Sequence, residues 1–208
     1  MRLRVATVVS GKGSNLAALL RALGPDAPAQ VVLVMSDRAQ AGGLELARQA
    51  GVPTHVFNDI ANTGEWLRVL AAANVGLVVL AGFLKRVPGP VVESWEGRMI
   101  NIHPALLPRH GGAGMYGGRV HQAVLESGDR VSGATVHLVT EEYDQGPVLG
   151  QALVAVLPGD TADILAARVL EAEHRLLPAV VLAAARAGRP VPLELNEATG
   201  TTILAPEP

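Results

Sequence analysis

The sequence predicts an α/β protein: a Rossmann-like, mostly parallel sheet with flanking helices, and mixed or antiparallel strands in its C-terminal part. Up to about residue 102, short β-branched runs alternate with longer Ala/Leu-rich stretches, the rhythm of βαβ units around a parallel sheet. Beyond residue 102 two apolar runs follow each other with only a turn between them, which suits antiparallel pairing. The composition is 49% hydrophobic but only 3% aromatic, so Val, Leu, Ala and Ile must supply the buried surface, as in a layered α/β core. A chain of 208 residues can build one such core, and the expected organisation is a single domain over 1–190 followed by a tail at 191–208.

The elements follow in order. Strands are expected at Arg4 to Val9, Val31 to Ser36, Thr54 to Phe57, Leu77 to Leu80 and Met99 to Ile102, each a β-branched or Leu-rich run bounded by turn residues. Helices are expected at Asn15 to Leu23, Leu44 to Gln49 and Glu65 to Ala73, each with a Gly or Pro stop. A helix near Val120 to Glu126 precedes apolar runs at Gly133 to Val139 and Val148 to Val156. A long helix over about Thr161 to Ala187 then starts at an Asp160 or Thr161 cap and ends at Gly188-Arg189-Pro190.

A net charge of −2 with scattered arginines provides no basic field for a nucleic-acid partner. The absence of cysteine removes disulfides, thiolate nucleophiles and Cys-based metal sites. Val5 to Val9 is too short for a secretory core, and no run approaches the ~20 apolar residues that span a bilayer, so the reading is a cytoplasmic protein without a membrane partner. No feature chooses between a monomer and a homodimer.

Three segments carry chemistry. In Ser10-Gly11-Lys12-Gly13-Ser14-Asn15 a strand ends in Gly-x-Gly and opens a helix, presenting free N–H groups where the helix dipole favours a phosphate. The lysine lies in the wrong register for a P-loop, and Leu16 occupies the third small position of a dinucleotide fingerprint. Asp37 leaves a ribose-binding acid available, and a plain βα turn without ligand is the other alternative. Lys12 would bring a cation beside the cradle.

In Asn101-Ile102-His103-Pro104, residues two apart project to one side, so Asn101 and His103 stand together at a strand end while Pro104 keeps the backbone extended. That edge of an open α/β sheet binds ligands. An amide donor beside an imidazole suits a reaction that builds negative charge on oxygen. A histidine that ties down a loop carbonyl is the alternative. In Glu141-Glu142-Tyr143-Asp144-Gln145-Gly146-Pro147, turn chemistry follows an acidic run. If the loop folds over the same edge, Asp144 would favour and orient the imidazolium, while Glu141 and Glu142 stay exposed.

Together with Ala81-Gly82-Phe83, Ala105-Leu106-Leu107-Pro108 and Gly133-Ala134-Thr135-Val136-His137, these segments resemble the folate-dependent formyltransferases. Their order and spacing are similar, over nearly the whole chain, to the branch that formylates phosphoribosylglycinamide in purine synthesis. The resemblance implies 10-formyltetrahydrofolate as co-substrate and no metal. It implies that Gly13, Ser14 and Asn15 hold the substrate phosphate and that Glu173 binds the ribose. The folate pocket would be formed by Leu84, Lys85, Arg86 and Val87, by Asn101, and by Thr140, Glu141, Glu142, Tyr143 and Asp144, largely through backbone groups. Asn101 and His103 would stabilise the tetrahedral oxyanion, and Asp144 would raise the His103 pKa and help move the amine proton.

Two departures stand out. A glycine-rich loop, Gly111 to Gly118, replaces an aromatic-Pro-Gly turn and is expected to act as a mobile lid. No arginine precedes the third helix in Thr63-Gly64-Glu65, and that helix looks shortened. His103, His121 and His137 follow no metal-ligand motif. The competing readings are a formyltetrahydrofolate hydrolase, whose relatives add an N-terminal domain; relatives that formylate an initiator tRNA or a sugar nucleotide, usually with a C-terminal domain; and a non-catalytic nucleotide-binding module.

Overall fold

The computed structural model describes residues 2–193, so most of the predicted 191–208 tail lies outside the described residues. One seven-stranded sheet runs in the order β3-β2-β1-β4-β5-β6-β7. The first five strands are parallel: β1 (Leu3–Val9), β2 (Ala29–Ser36), β3 (Thr54–Val56), β4 (Leu77–Leu80) and β5 (Met99–His103). β6 (Val131–Leu138) and β7 (Val148–Ala155) return antiparallel, as the change of rhythm after residue 102 predicts.

Alternation along the strands sorts the core into two layers. On one face Val5, Val9, Leu77, Val79, Ile100 and Ile102 pack against α1 (Ser14–Ala22), α2 (Gly42–Gln49), α5 (Gly118–Glu126) and α6 (Ala162–Ala187). On the other, Ala6, Val8, Val78, Leu80 and Met99 meet α3 (Thr63–Ala72) and α4 (Gly89–Ser94). Asn101 and His103 share the parity of Met99, so the strand that seals both layers also directs two polar groups to one side at its end. Each buried Val, Leu or Ile contributes roughly 1.5–3 kcal/mol, enough to lock the strand register that aims these two side chains.

The predicted boundaries hold to within about two residues, except that α4 was not expected as a separate helix. Its six residues start within Pro88-Gly89-Pro90, with Pro90 in the first turn, where a missing N–H has no consequence. Thr161, not Asp160, caps α6, accepting from Ile164 N at 3.3 Å. Asp160 instead binds Arg168. The α3 start is built around Asn62 as cap and a buried Glu65, whose carboxylate takes His55 Nε2 at 2.9 Å and the N–H of Asn58 at 3.2 Å. Where relatives were expected to carry an arginine, this chain therefore spends its third-helix entry on a self-contained cap.

Gly133 lies where β6 and β7 approach most closely: a Cβ there would sit 2.0 Å from Ala152 O and 2.7 Å from Leu106 Cδ2. The Leu106 methyl can shift, but Ala152 O is backbone of the paired strand and cannot move aside. Gly133→Ala is expected to destabilise the fold by about 2 kcal/mol or more, read as a lower urea midpoint at unchanged slope. An unchanged midpoint would contradict the tight β6–β7 contact.

Candidate active site

A cleft of about 590 Å³ opens at the C-terminal ends of β1, β4 and β5. The strand order reverses between β1 and β4, and such a switch point leaves a crevice between the loops that diverge from it. Ser14 and Asn15 line it from the start of α1, 84–87 from the segment after β4, Asn101 and His103 from β5, 140–144 from the β6–β7 connection, and Glu173 from α6. Gly13 does not line it. Its backbone is left-handed at φ 79°, and a Cβ there would lie 2.6 Å from Gly43 Cα, so the glycine is demanded by the α1–α2 approach. Lys12 points elsewhere as well: with Arg38 and Gln40 it lines a separate hollow, so it brings no cation to the main cleft.

The acidic turn does fold over the β5 edge. Asp144 adopts φ 56°, an uncommon conformation for a side chain other than glycine or asparagine, and its carboxylate meets three groups. Oδ2 accepts from Gly112 N at 2.9 Å and stands 3.5 Å from His103 Nδ1, while Oδ1 stands 3.5 Å from His137 Nε2. Glu141 and Glu142 are exposed on the rim, as expected. Arg86 ties the two walls of that rim together, donating from Nη2 to Glu141 O at 2.9 Å with its guanidinium 5.8 Å from the Tyr143 ring.

His137 is the member that sequence reasoning missed: it entered as the end of a family segment and as a histidine without a metal-ligand motif, with no role in the site. The antiparallel register places it opposite Asn101. Its Nδ1–H donates to Leu138 O at 2.8 Å, which leaves Nε2 to accept from Asn101 Nδ2 at 3.1 Å. One amide hydrogen of Asn101 is thus fixed, and the other remains for the cleft. Among the described residues no three His, Asp or Glu side chains converge as a metal ion would require.

His103 combines two of the sequence expectations. Its Nε2–H donates to His110 O at 2.9 Å, so it does tie down a loop carbonyl, and this leaves Nδ1 facing Asp144. Asp144 does act upward on His103, as expected, but the net direction is the opposite. Burial is the largest influence and holds the imidazole below its ordinary value, outweighing the Asp144 charge and the His110 carbonyl, which both act upward. Burial would raise Asp144 too, but the hydrogen bond to His137, the neighbouring imidazole charges and the Gly112 N–H keep its carboxyl below the usual range.

At the other end of the cleft, Asn15 Nδ2 donates to Glu173 Oε2 at 2.5 Å, joining α1 to α6. Burial lifts the Glu173 carboxyl above the ordinary carboxylate range, with the Asn15 bond acting the other way. Asn15 Oδ1 is buried without a partner among the described residues. Residues 58–65 contribute nothing to the lining.

The formyl transferase family model matches residues 3–181. The chain is 44% identical over 188 residues to the chloroplastic phosphoribosylglycinamide formyltransferase of Arabidopsis thaliana, covering 86% of this chain and 64% of that protein. It is 38% identical to the phosphoribosylglycinamide formyltransferase of Escherichia coli (strain K12), covering 86% and 85% respectively. It spans only 18% of the trifunctional purine biosynthetic protein adenosine-3 of Gallus gallus. The crystal structure of phosphoribosylglycinamide formyltransferase from Anaplasma phagocytophilum superposes with a TM-score of 0.85 at 35% identity, over all of this chain and 95% of that one.

Because the Asp144 charge acts upward on His103, Asp144→Asn is expected to move the His103 imidazole midpoint to still lower pH in a 1H–15N titration. An upward displacement would contradict the pairing.

Proposed function

As the chain belongs to the formyl transferase family, we propose that it transfers the formyl group of 10-formyltetrahydrofolate to the amine of phosphoribosylglycinamide, a step of de novo purine synthesis, in the cytoplasm. One observation supports this reading above the others. The Asn101–His103–Asp144 constellation and the α1–α6 polar end lie in a single cleft, so a phosphorylated amine anchored at one end reaches the reacting group at the other.

At the anchoring end the N-terminus of α1 and the Ser14 hydroxyl supply donors for a phosphate. Asn15 Oδ1 and the Glu173 carboxyl supply acceptors for ribose hydroxyls. The 84–87 and 140–144 walls receive the folate, mostly through backbone groups. The substrate amine attacks the formyl carbon, forming the new C–N bond while the carbonyl oxygen becomes an alkoxide. The free Asn101 N–H and protonated His103 donate to that oxygen. The 3.5 Å separation of His103 Nδ1 and Asp144 Oδ2 is longer than a good hydrogen bond, so neither group is saturated by the other and both can turn to the substrate. Asp144 takes a proton from the attacking amine, the bond from the formyl carbon to N10 of the folate breaks, and that proton is returned to N10. No step calls for a metal.

Purified protein given both substrates is expected to form formylglycinamide ribonucleotide. Asn101→Ala and His103→Ala are each expected to lower kcat by about two orders of magnitude. Turnover is followed through the absorbance of the released folate. Formate release without the amine would instead indicate a hydrolase, and tight binding of a dinucleotide without turnover would indicate a binding module.

A further inference from the structure

We propose that Asp129, which lies outside the cleft lining, is a positioning residue for His103 that acts through the His110 side chain and carbonyl; this deepens the formyl-transfer reading and rests on it. Asp129 sits in the turn between α5 and β6, and its two oxygens hold two consecutive residues of the loop that follows Pro108. Oδ2 accepts from His110 Nε2 at 2.7 Å, and Oδ1 pairs with Arg109 Nη2 at 2.7 Å. His110 is held at φ 54°, a conformation that a bulky side chain keeps only when its surroundings enforce it. Its ring is about as sheltered as the carboxylate that grips it, each 14% exposed, whereas Arg109 is 65% exposed.

The consequence lies one covalent step away. With the His110 ring fixed, its carbonyl is aimed at His103 and accepts Nε2–H at 2.9 Å. An acceptor on Nε2 keeps one ring proton there and turns Nδ1 toward Asp144, so the second proton of the imidazolium is carried on Nδ1, the nitrogen that faces the reacting groups. The bracket therefore decides which ring nitrogen is presented to the reaction. Released from Asp129, His110 would relax from φ 54° and withdraw the carbonyl, and the ring would be free to place its proton on Nδ1 toward the carboxylate. The hydrogen bond that His110 makes with Asp129 also keeps that carboxyl below its ordinary range, so the bracket persists through neutral pH.

The ionisable groups around His103 are Asp144 on the β6–β7 connection, His137 on β6, His110 in the loop and His121 on α5. Of these elements, the His110 carbonyl and the Asp144 charge favour the imidazolium, while the His137 and His110 rings oppose it. Removing the carbonyl therefore shifts His103 toward lower pH.

The test measures Asp129→Ala, His110→Ala, Asp129→Glu and Arg109→Ala in the full chain, using kcat, both KM values, the pH profile of kcat and the 15N shifts of His103. Asp129→Ala and His110→Ala are expected to lower kcat about tenfold, the scale of losing an orienting partner, with each KM within about twofold of wild type. The alkaline limb, where His103 loses its proton, should move to lower pH, and the 15N shifts should report loss of the Nε2–H tautomer. Asp129→Glu should recover part of the rate, and Arg109→Ala should stay near wild type. Should Asp129→Ala fail to fold, His110→Ala decides. A wild-type rate in the variants overturns the proposal, as does a lost rate with raised KM values and an unmoved pH profile. If wild type itself shows no turnover, the functional reading fails instead. Unchanged His103 15N shifts in the variants would still overturn the positioning role.

Discussion

The Asp144 carboxylate is the point at which three otherwise independent segments are joined. It holds the glycine-rich loop through Gly112 N and faces the ring nitrogens of His103 on β5 and His137 on β6. A carboxylate so enclosed would be unfavourable if left alone, and its pKa stays below the usual range because the Gly112 N–H donates to it and the two imidazoles beside it can carry positive charge. The arrangement works in both directions. The imidazoles keep Asp144 charged, and Asp144 opposes the burial that would otherwise leave His103 still harder to protonate.

Sheet topology makes this junction possible. The parallel half opens a crevice where β1 and β4 diverge, but parallel strands alone would send each following segment away over a helix. The antiparallel return of β6 instead sets His137 opposite Asn101 and Thr135 opposite His103. It then turns at Gly146, where a Cβ would collide with Leu138 O, and so carries Asp144 back over the strand it just paired. Beneath the turn that follows His103, Thr135 Oγ1 donates to Ala105 O at 2.6 Å and accepts from Leu107 N at 3.1 Å. The segment that follows β5 is thus tied to β6.

What could be read from the sequence follows from local rules. The spacing of Asn101 and His103 fixes their common side, because alternation on a strand needs only two residues to declare itself. The parallel strands and most helices were equally legible through β-branched runs and Gly or Pro stops. The Asn101–His137 contact was not, since it depends on an antiparallel register set 36 residues away along the chain. The second demand on Gly13 escaped for the same reason: a Gly-x-Gly turn specifies a backbone shape, while the close approach to Gly43 comes from the later α2. The direction of the His103 shift also escaped, because sequence shows the charge that may stand beside an imidazole and not how deeply both are buried.

Asp144 and His103 form one working unit, each needing the other in place. The most direct test is a double-mutant cycle on kcat with His103→Ala, Asp144→Ala and the double variant, measured under saturation with both substrates. Groups that work as one unit give a double variant no slower than the slower single one. Rate losses that simply multiply would show two independent contributions and contradict the account.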